Sequence, residues 1–166
     1  MHWLSAAIII SLLILGIYMT PYDENNSALA GSLYFWHKSF GILVFIIIIA
    51  RIFNRKRHSL PELPKTMPKH EQRAAKIVHQ LLYFLMVLIP LLGYCQSSSY
   101  EFSDGVNFFF IDLPEILPKS KFIFDITNSL HKWLSYFFIA LILAHVLGAL
   151  KHRFFDKEND VLDRIL

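Results

Sequence analysis

Four long runs of apolar residues, separated by polar and charged segments, organise this chain. They fall at about 3–19, 34–53, 77–95 and 126–150. Each is near the roughly 20 residues that a helix rising 1.5 Å per residue needs to cross a ~30 Å hydrocarbon core. The pattern therefore predicts four membrane-spanning helices. The second run carries Lys38 and Arg51 near its ends, and the third contains Pro90, which predicts a kink that a bilayer helix tolerates. The first run lacks the basic start and small-residue cleavage site of a signal peptide, so it is expected to be retained as a span. A shorter apolar patch, Phe108-Phe109-Phe110-Ile111 before Asp112-Leu113-Pro114, is too short to span. It is expected to lie at the membrane interface or to cap the bundle. With no internal repeat or low-complexity tract, residues 1–166 are expected to form one domain. Its predicted fold class is all-α, an integral membrane antiparallel four-helix bundle.

Composition agrees with a membrane protein. Charged residues make up 17% of the chain, where soluble domains carry about a quarter. Fifteen Phe and seven Tyr suit lipid contact and the interface. The single cysteine, Cys95, excludes an internal disulfide and a cysteine-based zinc or iron–sulfur site. Membrane lipid is an expected partner and nucleic acid is not.

The distribution of charge gives a direction. Between Arg51 and Lys76 there are eight Lys and Arg against only Glu62 and Glu71, and Lys151, Arg153, Lys157 and Arg164 follow the last run. The segment between the first two runs holds Asp23 and Glu24 with no Lys or Arg, and the one between the last two is mainly acidic. The positive-inside rule then predicts both termini in the cytoplasm.

Four histidines sit where histidine is costly. His2, His37, His131 and His145 lie within or at the edges of the apolar runs. An intramembrane polar ring needs a partner or a job. His131 and His145 are fourteen positions apart in one run. That spacing is about 21 Å along a helix axis, and returns to within about 40° of the starting direction. The two rings thus share one face at two levels. Antiparallel spans pair them by depth: His37 with His131 near the outer face, His2 with His145 toward the inner face. Two histidines on facing helices are the axial set of a six-coordinate haem iron. A compact ion such as zinc needs three or four protein ligands at one level, and the spans offer no carboxylate, and no cysteine but Cys95 at the end of the third run, to complete such a set. His79, at the inner end of the third run, competes with His2 as inner ligand, because chain termini fray. Gly41 shares the face of His37, and Gly148 lies one turn from His145. Both could make room for a flat macrocycle or simply allow close helix packing. His152 falls on the His145 face about 10 Å further in, where it could reach haem propionates or a quinone, or be an ordinary interface residue.

These residues together resemble a family. His2-Trp3, His37 before Gly41-Ile42-Leu43-Val44 and Ala50-Arg51, His79 with Tyr83 and Pro90, and the His131/His145 spacing resemble bacterial cytochrome b561 from end to end. The pattern is also similar to the haem-bearing membrane subunits of formate dehydrogenases and nickel hydrogenases. The resemblance implies a four-helix protein of the bacterial inner membrane with two haem b groups. It implies His2, His37, His131 and His145 as iron ligands, with Gly41 and Arg51 among the cofactor-binding residues. It further implies electron exchange with the quinone pool, ubiquinone or another quinone. One type in the family resembles a superoxide oxidase that delivers electrons from the periplasmic face to ubiquinone. Others serve a partner redox protein.

Lys38 and Lys132 each follow an outer histidine, on a face otherwise acidic. They could pair with propionates, steer superoxide as the catalytic cations of an oxidase, or snorkel to the interface. A histidine-lined transporter or metal-handling protein is the alternative from another functional class.

Overall fold

The computed structural model describes residues 2–21, 28–57, 66–103, 105–156 and 159. Four helices carry the chain: α1 (His2–Met19), α2 (Ala28–Arg57), α3 (Lys69–Ser99) and α4 (Lys121–Phe155). All four are long and apolar enough to cross a membrane. The helices α2, α3 and α4 run several residues past the apolar runs, because backbone hydrogen bonding continues; α2 gains small and apolar residues at its start, while the basic last turns of α2 and α4 reach toward water. Pro90 does not end α3, which continues through it to Ser99. Asp23, Glu24, Glu62, Lys65, Asp104, Lys157 and Arg164, part of the predicted charge pattern, lie outside the described residues.

Burial is inverted relative to a soluble bundle. Ile10, Ile14, Ile17, Leu147 and Phe154 face outward, while Ser5, Ser39, Ser98 and Ser99 are almost fully buried. Lipid tails are as apolar as leucine, so helices in a bilayer associate through close packing of small residues and hydrogen bonds. The helix α3 packs most extensively on α4, and α1 on α2, with α2 against α3 joining the two pairs. The apolar core consists of Leu82, Leu85 and Ile89 from α3 and Phe138 from α4, with Ile9 and Leu13 of α1 packed against it. Phe138 is seven residues from both His131 and His145, so this core separates the two histidine levels.

The segment between α3 and α4 caps one end of the bundle. It contains a hairpin, β1 (Val106–Phe108) and β2 (Ile111–Leu113), paired antiparallel with Phe108 opposite Ile111. The apolar patch read as an interface or cap segment is thus a hairpin seated on α2. At its turn Phe109 has φ 51°, a region that side chains rarely adopt. Its N–H donates to Ser39 Oγ at 3.0 Å, and its ring lies 5.5 Å from Phe40 and 6.3 Å from Trp36. These contacts offset a backbone cost of about 1–3 kcal/mol. Further along, Ser98 Oγ accepts from the N–H groups of Ile116 and Leu117 at 2.8 and 3.0 Å, and Tyr94 OH donates to the Pro114 carbonyl at 2.6 Å. The helix α4 then starts at Ser120, whose side chain accepts from the Ile123 N–H.

Candidate functional site

The predicted histidines meet in two groups at the two levels. At the capped end, the rings of His37 on α2 and His131 on α4 have centroids 6.2 Å apart. At the other end, the ring of His2 lies 6.4 Å from that of His145, and the ring of His79 lies 5.1 Å from it.

Each ring of the first pair is backed by a glycine of a neighbouring helix. A Cβ at Gly16 of α1 would lie 3.2 Å from His37 Cε1, and one at Gly93 of α3 would lie 3.0 Å from His131 Cε1. Both clearances are tighter than most Cβ contacts, so a side chain at either glycine would require the imidazole to give by a few tenths of an ångström. The Nδ1 of His131 donates to the Ile89 carbonyl at 2.9 Å. A carbonyl only accepts, so the proton sits on Nδ1 and the Nε2 lone pair is left free. Orienting a metal-binding histidine through its other nitrogen is the usual arrangement. His37 Nδ1 is buried without a hydrogen-bond partner among the described residues.

A cavity of about 570 Å³ opens between these two rings. That is within the ~300–1,000 Å³ range of small-molecule and cofactor sites. Gly41 lines it, and a Cβ there would meet nothing within 4 Å. Val106 of the hairpin and Phe138 of the apolar core also line it. Lys38 and Lys132 both line it as well, with Lys132 Nζ 6.0 Å from the Trp133 ring centroid. The sequence-predicted residues His37, Lys38, Gly41, His131 and Lys132 are therefore brought to one cavity. Gly148 also faces open space but does not line it.

At the second level Arg51 organises the site. Its guanidinium donates to His2 Nδ1 and to Ser5 Oγ, both at 2.9 Å, and Ser5 Oγ donates to the His2 carbonyl. This network ties the first turn of α1 to the end of α2, so His2 is held rather than frayed. Arginine only donates, so His2 Nδ1 accepts and the ring proton sits on Nε2. Metal binding through Nε2 requires Arg51 to leave Nδ1. His152 turns away from this level, toward Glu71 and Asp156.

Residues 1–166 match the family model described as prokaryotic cytochrome b561. The chain belongs to the prokaryotic cytochrome b561 family. It is 34% identical over 168 residues to cytochrome b561 homolog 2 of Escherichia coli (strain K12), covering 99% of this chain and 86% of the relative. Cytochrome b561 homolog 1 of the same organism is 29% identical over 131 residues, 76% of this chain and 70% of the relative. A probable superoxide oxidase CybB of Yersinia pestis is 29% identical over 138 residues, with the same coverages. This cytochrome b561 is thus a bacterial multi-pass membrane protein of electron transfer, and its family implies b-type haem.

The donor set fits such a group. A metal–imidazole bond is about 2.0 Å, so two imidazoles trans across one metal place their ring centroids roughly 6.3 Å apart. The His37–His131 and His2–His145 separations are close to that figure, and His79–His145 is too short. Sequence reading missed Gly16, Gly93 and the Ile89 carbonyl, which no one-dimensional spacing ties to a histidine. Phe138, midway between His131 and His145, was open to discovery by its period of seven.

Proposed function

We propose that this cytochrome b561 carries two b-type haems, one between His37 and His131 and one between His2 and His145, and exchanges electrons with a membrane quinone. The pair of centroid separations, 6.2 and 6.4 Å, carries this reading. It also favours His2 over His79 as the inner ligand. Each haem would supply one-electron redox chemistry, and the protein would supply ligation, burial and charge. His131 presents its Nε2 lone pair because Ile89 holds its other nitrogen. Arg51, once off His2 Nδ1, is placed to pair with an anionic group at that level. Phe138 and its apolar neighbours keep water out between the levels. The test is a haem-to-protein ratio on purified material, with quinol reduction followed in the same sample. A ratio of two with quinol-reducible haem is expected, and a ratio of one ends the two-haem reading.

The capped end is the proposed periplasmic face, with both termini cytoplasmic. The basic segments support this orientation. The similarity to a probable superoxide oxidase supports superoxide as one electron donor there. Lys38 and Lys132 line the cavity between the outer histidines and would draw a small anion against otherwise acidic surroundings. In sealed spheroplasts, superoxide generated outside should reduce haem, and the Lys38→Gln/Lys132→Gln double variant should respond several-fold more slowly and with weaker salt dependence. Quinol reduction should change little. Reduction only in inverted vesicles would reverse the orientation, and a double variant with full haem reduced at the wild-type rate would remove the steering role.

A further inference from the structure

At the end of the bundle opposite the cap, α3 begins and α4 ends on a group of side chains that stands apart from the paired histidine rings. His152, in the last turn of α4, is one of the few buried polar residues there, 9% exposed. Its Nε2 lies 3.6 Å from Glu71 Oε2, and its Nδ1 lies 3.2 Å from Asp156 Oδ2. One ligand atom from each of the three residues can be chosen so that all lie within 4.8 Å of one another. Glu71 Oε2 is buried and has no hydrogen-bond partner among the described residues. Each carboxylate is also held from outside. Lys151 donates to Glu71 Oε1, leaving Oε2 directed at the imidazole, and Asn159 Nδ2 donates to both Asp156 oxygens. Thr66 in turn donates to Asn159 Oδ1 at 2.7 Å, fixing the amide.

We propose that Glu71, His152 and Asp156 form a binding site for a divalent transition-metal ion of the zinc type. One imidazole with two carboxylates balances a doubly charged ion. It is also a donor set that suits zinc and its neighbours better than calcium or magnesium, which take oxygen ligands. In a tetrahedral zinc site with bonds of about 2.0–2.2 Å, neighbouring ligand atoms lie about 3.2–3.6 Å apart. An imidazole gives one nitrogen to an ion: His152 Nδ1 and Asp156 Oδ2 already stand at ligand spacing, while Glu71, paired with the long and half-exposed Lys151 side chain, closes by side-chain rotation. The Asn159 amide on Asp156, itself held by Thr66, is the kind of outer partner that orients a metal ligand. Three protein ligands leave a fourth position for water. Seven residues separate His152 from His145, about 10 Å along α4, so this site is distinct from the histidine levels.

The experiment titrates zinc chloride into the purified, haem-loaded full chain, followed by calorimetry and by thermal unfolding. One tight equivalent and a raised Tm are expected, with millimolar magnesium failing to compete. His152→Ala and Glu71→Gln should each weaken binding at least ~100-fold, beyond the ~10–100-fold usual for loss of outer hydrogen-bond partners. His70→Ala, beside Glu71, should bind as wild type. Haem absorbance and Tm without zinc establish that each variant is folded, and Glu71→Gln preserves shape where His152→Ala disturbs it. Absence of binding, binding unchanged in both ligand variants, or zinc that displaces haem would each overturn the proposal. Because haem content is measured in the same samples, these outcomes do not depend on the electron-transfer reading.

Discussion

His131→Ala should remove one haem component completely and leave the other largely intact. Its ring stands 6.2 Å from that of His37, is anchored at 2.9 Å to the Ile89 carbonyl through Nδ1 and lines the cavity. Alanine takes away the ligand and leaves the Ile89 carbonyl without that partner. His37→Ala should lose the same component. His145→Ala should lose the other, since its ring faces His2 from the far side of the Phe138 layer. Haem-to-protein ratios near one, with complementary spectra in the His131 and His145 variants, are the expected result. If both variants lose the same spectral component, the two-level arrangement is wrong. His2→Ala should behave like His145→Ala, and His79→Ala should keep both haems. The reverse outcome for those two would hand the inner position to His79, against the 6.4 and 5.1 Å separations.

Gly93→Ala should nearly abolish the outer haem although it deletes nothing. A Cβ at Gly93 would stand 3.0 Å from Cε1 and 3.1 Å from Nδ1 of His131. A ring that moves away lengthens and misaligns its 2.9 Å bond to the Ile89 carbonyl, and a buried donor left unpaired costs about 1–3 kcal/mol. Overpacking adds a similar amount, about 1–3 kcal/mol. Either the ring is displaced from its ligating position or the protein is destabilised. A haem affinity lower by about 100-fold is expected, as for loss of an outer partner of a metal ligand. Gly41→Val provides the contrast. A Cβ at Gly41 meets nothing within 4 Å and projects into the cavity. That variant should fold with an unchanged His131 and still lose outer haem, because its side chain takes the cofactor's space. Full haem in Gly41→Val would mean that the cavity is not the haem site. Full haem in Gly93→Ala would mean that His131 does not need its present position.

The four spans were legible because crossing a bilayer demands a long apolar run, and that demand is written locally. The runs at about 34–53 and 126–150 became helices of 28–57 and 121–155, extended by small and apolar residues at the start of α2 and by segments with Lys, Arg, Asp or His at the other ends. The alignment of His131 with His145 was equally local, since helix geometry alone puts residues fourteen apart on one face. Their cross-helix partners followed from depth, because antiparallel spans of similar length leave few choices.

The rest depended on which helices touch and how they are turned. Gly16 and Gly93 are small residues among many until α1 is placed on His37 and α3 on His131. The Ile89 carbonyl belongs to an ordinary helical turn until the ring of His131 reaches it. Ser39 and Ser98 gain their roles only when the segment between α3 and α4 folds back over the bundle and needs acceptors for its N–H groups. His152 shares a face with His145 in sequence, yet the turn of α4 against α3 directs it to Glu71 and Asp156. A single chain specifies its own helices through backbone hydrogen bonds and hydrophobic run length, which act within a few residues. Ring anchoring by Ile89, glycine clearance at His37 and His131 and the pairing of Glu71 with His152 join groups about 20 to 80 residues apart in sequence, and only packing in three dimensions brings those groups within a few ångströms.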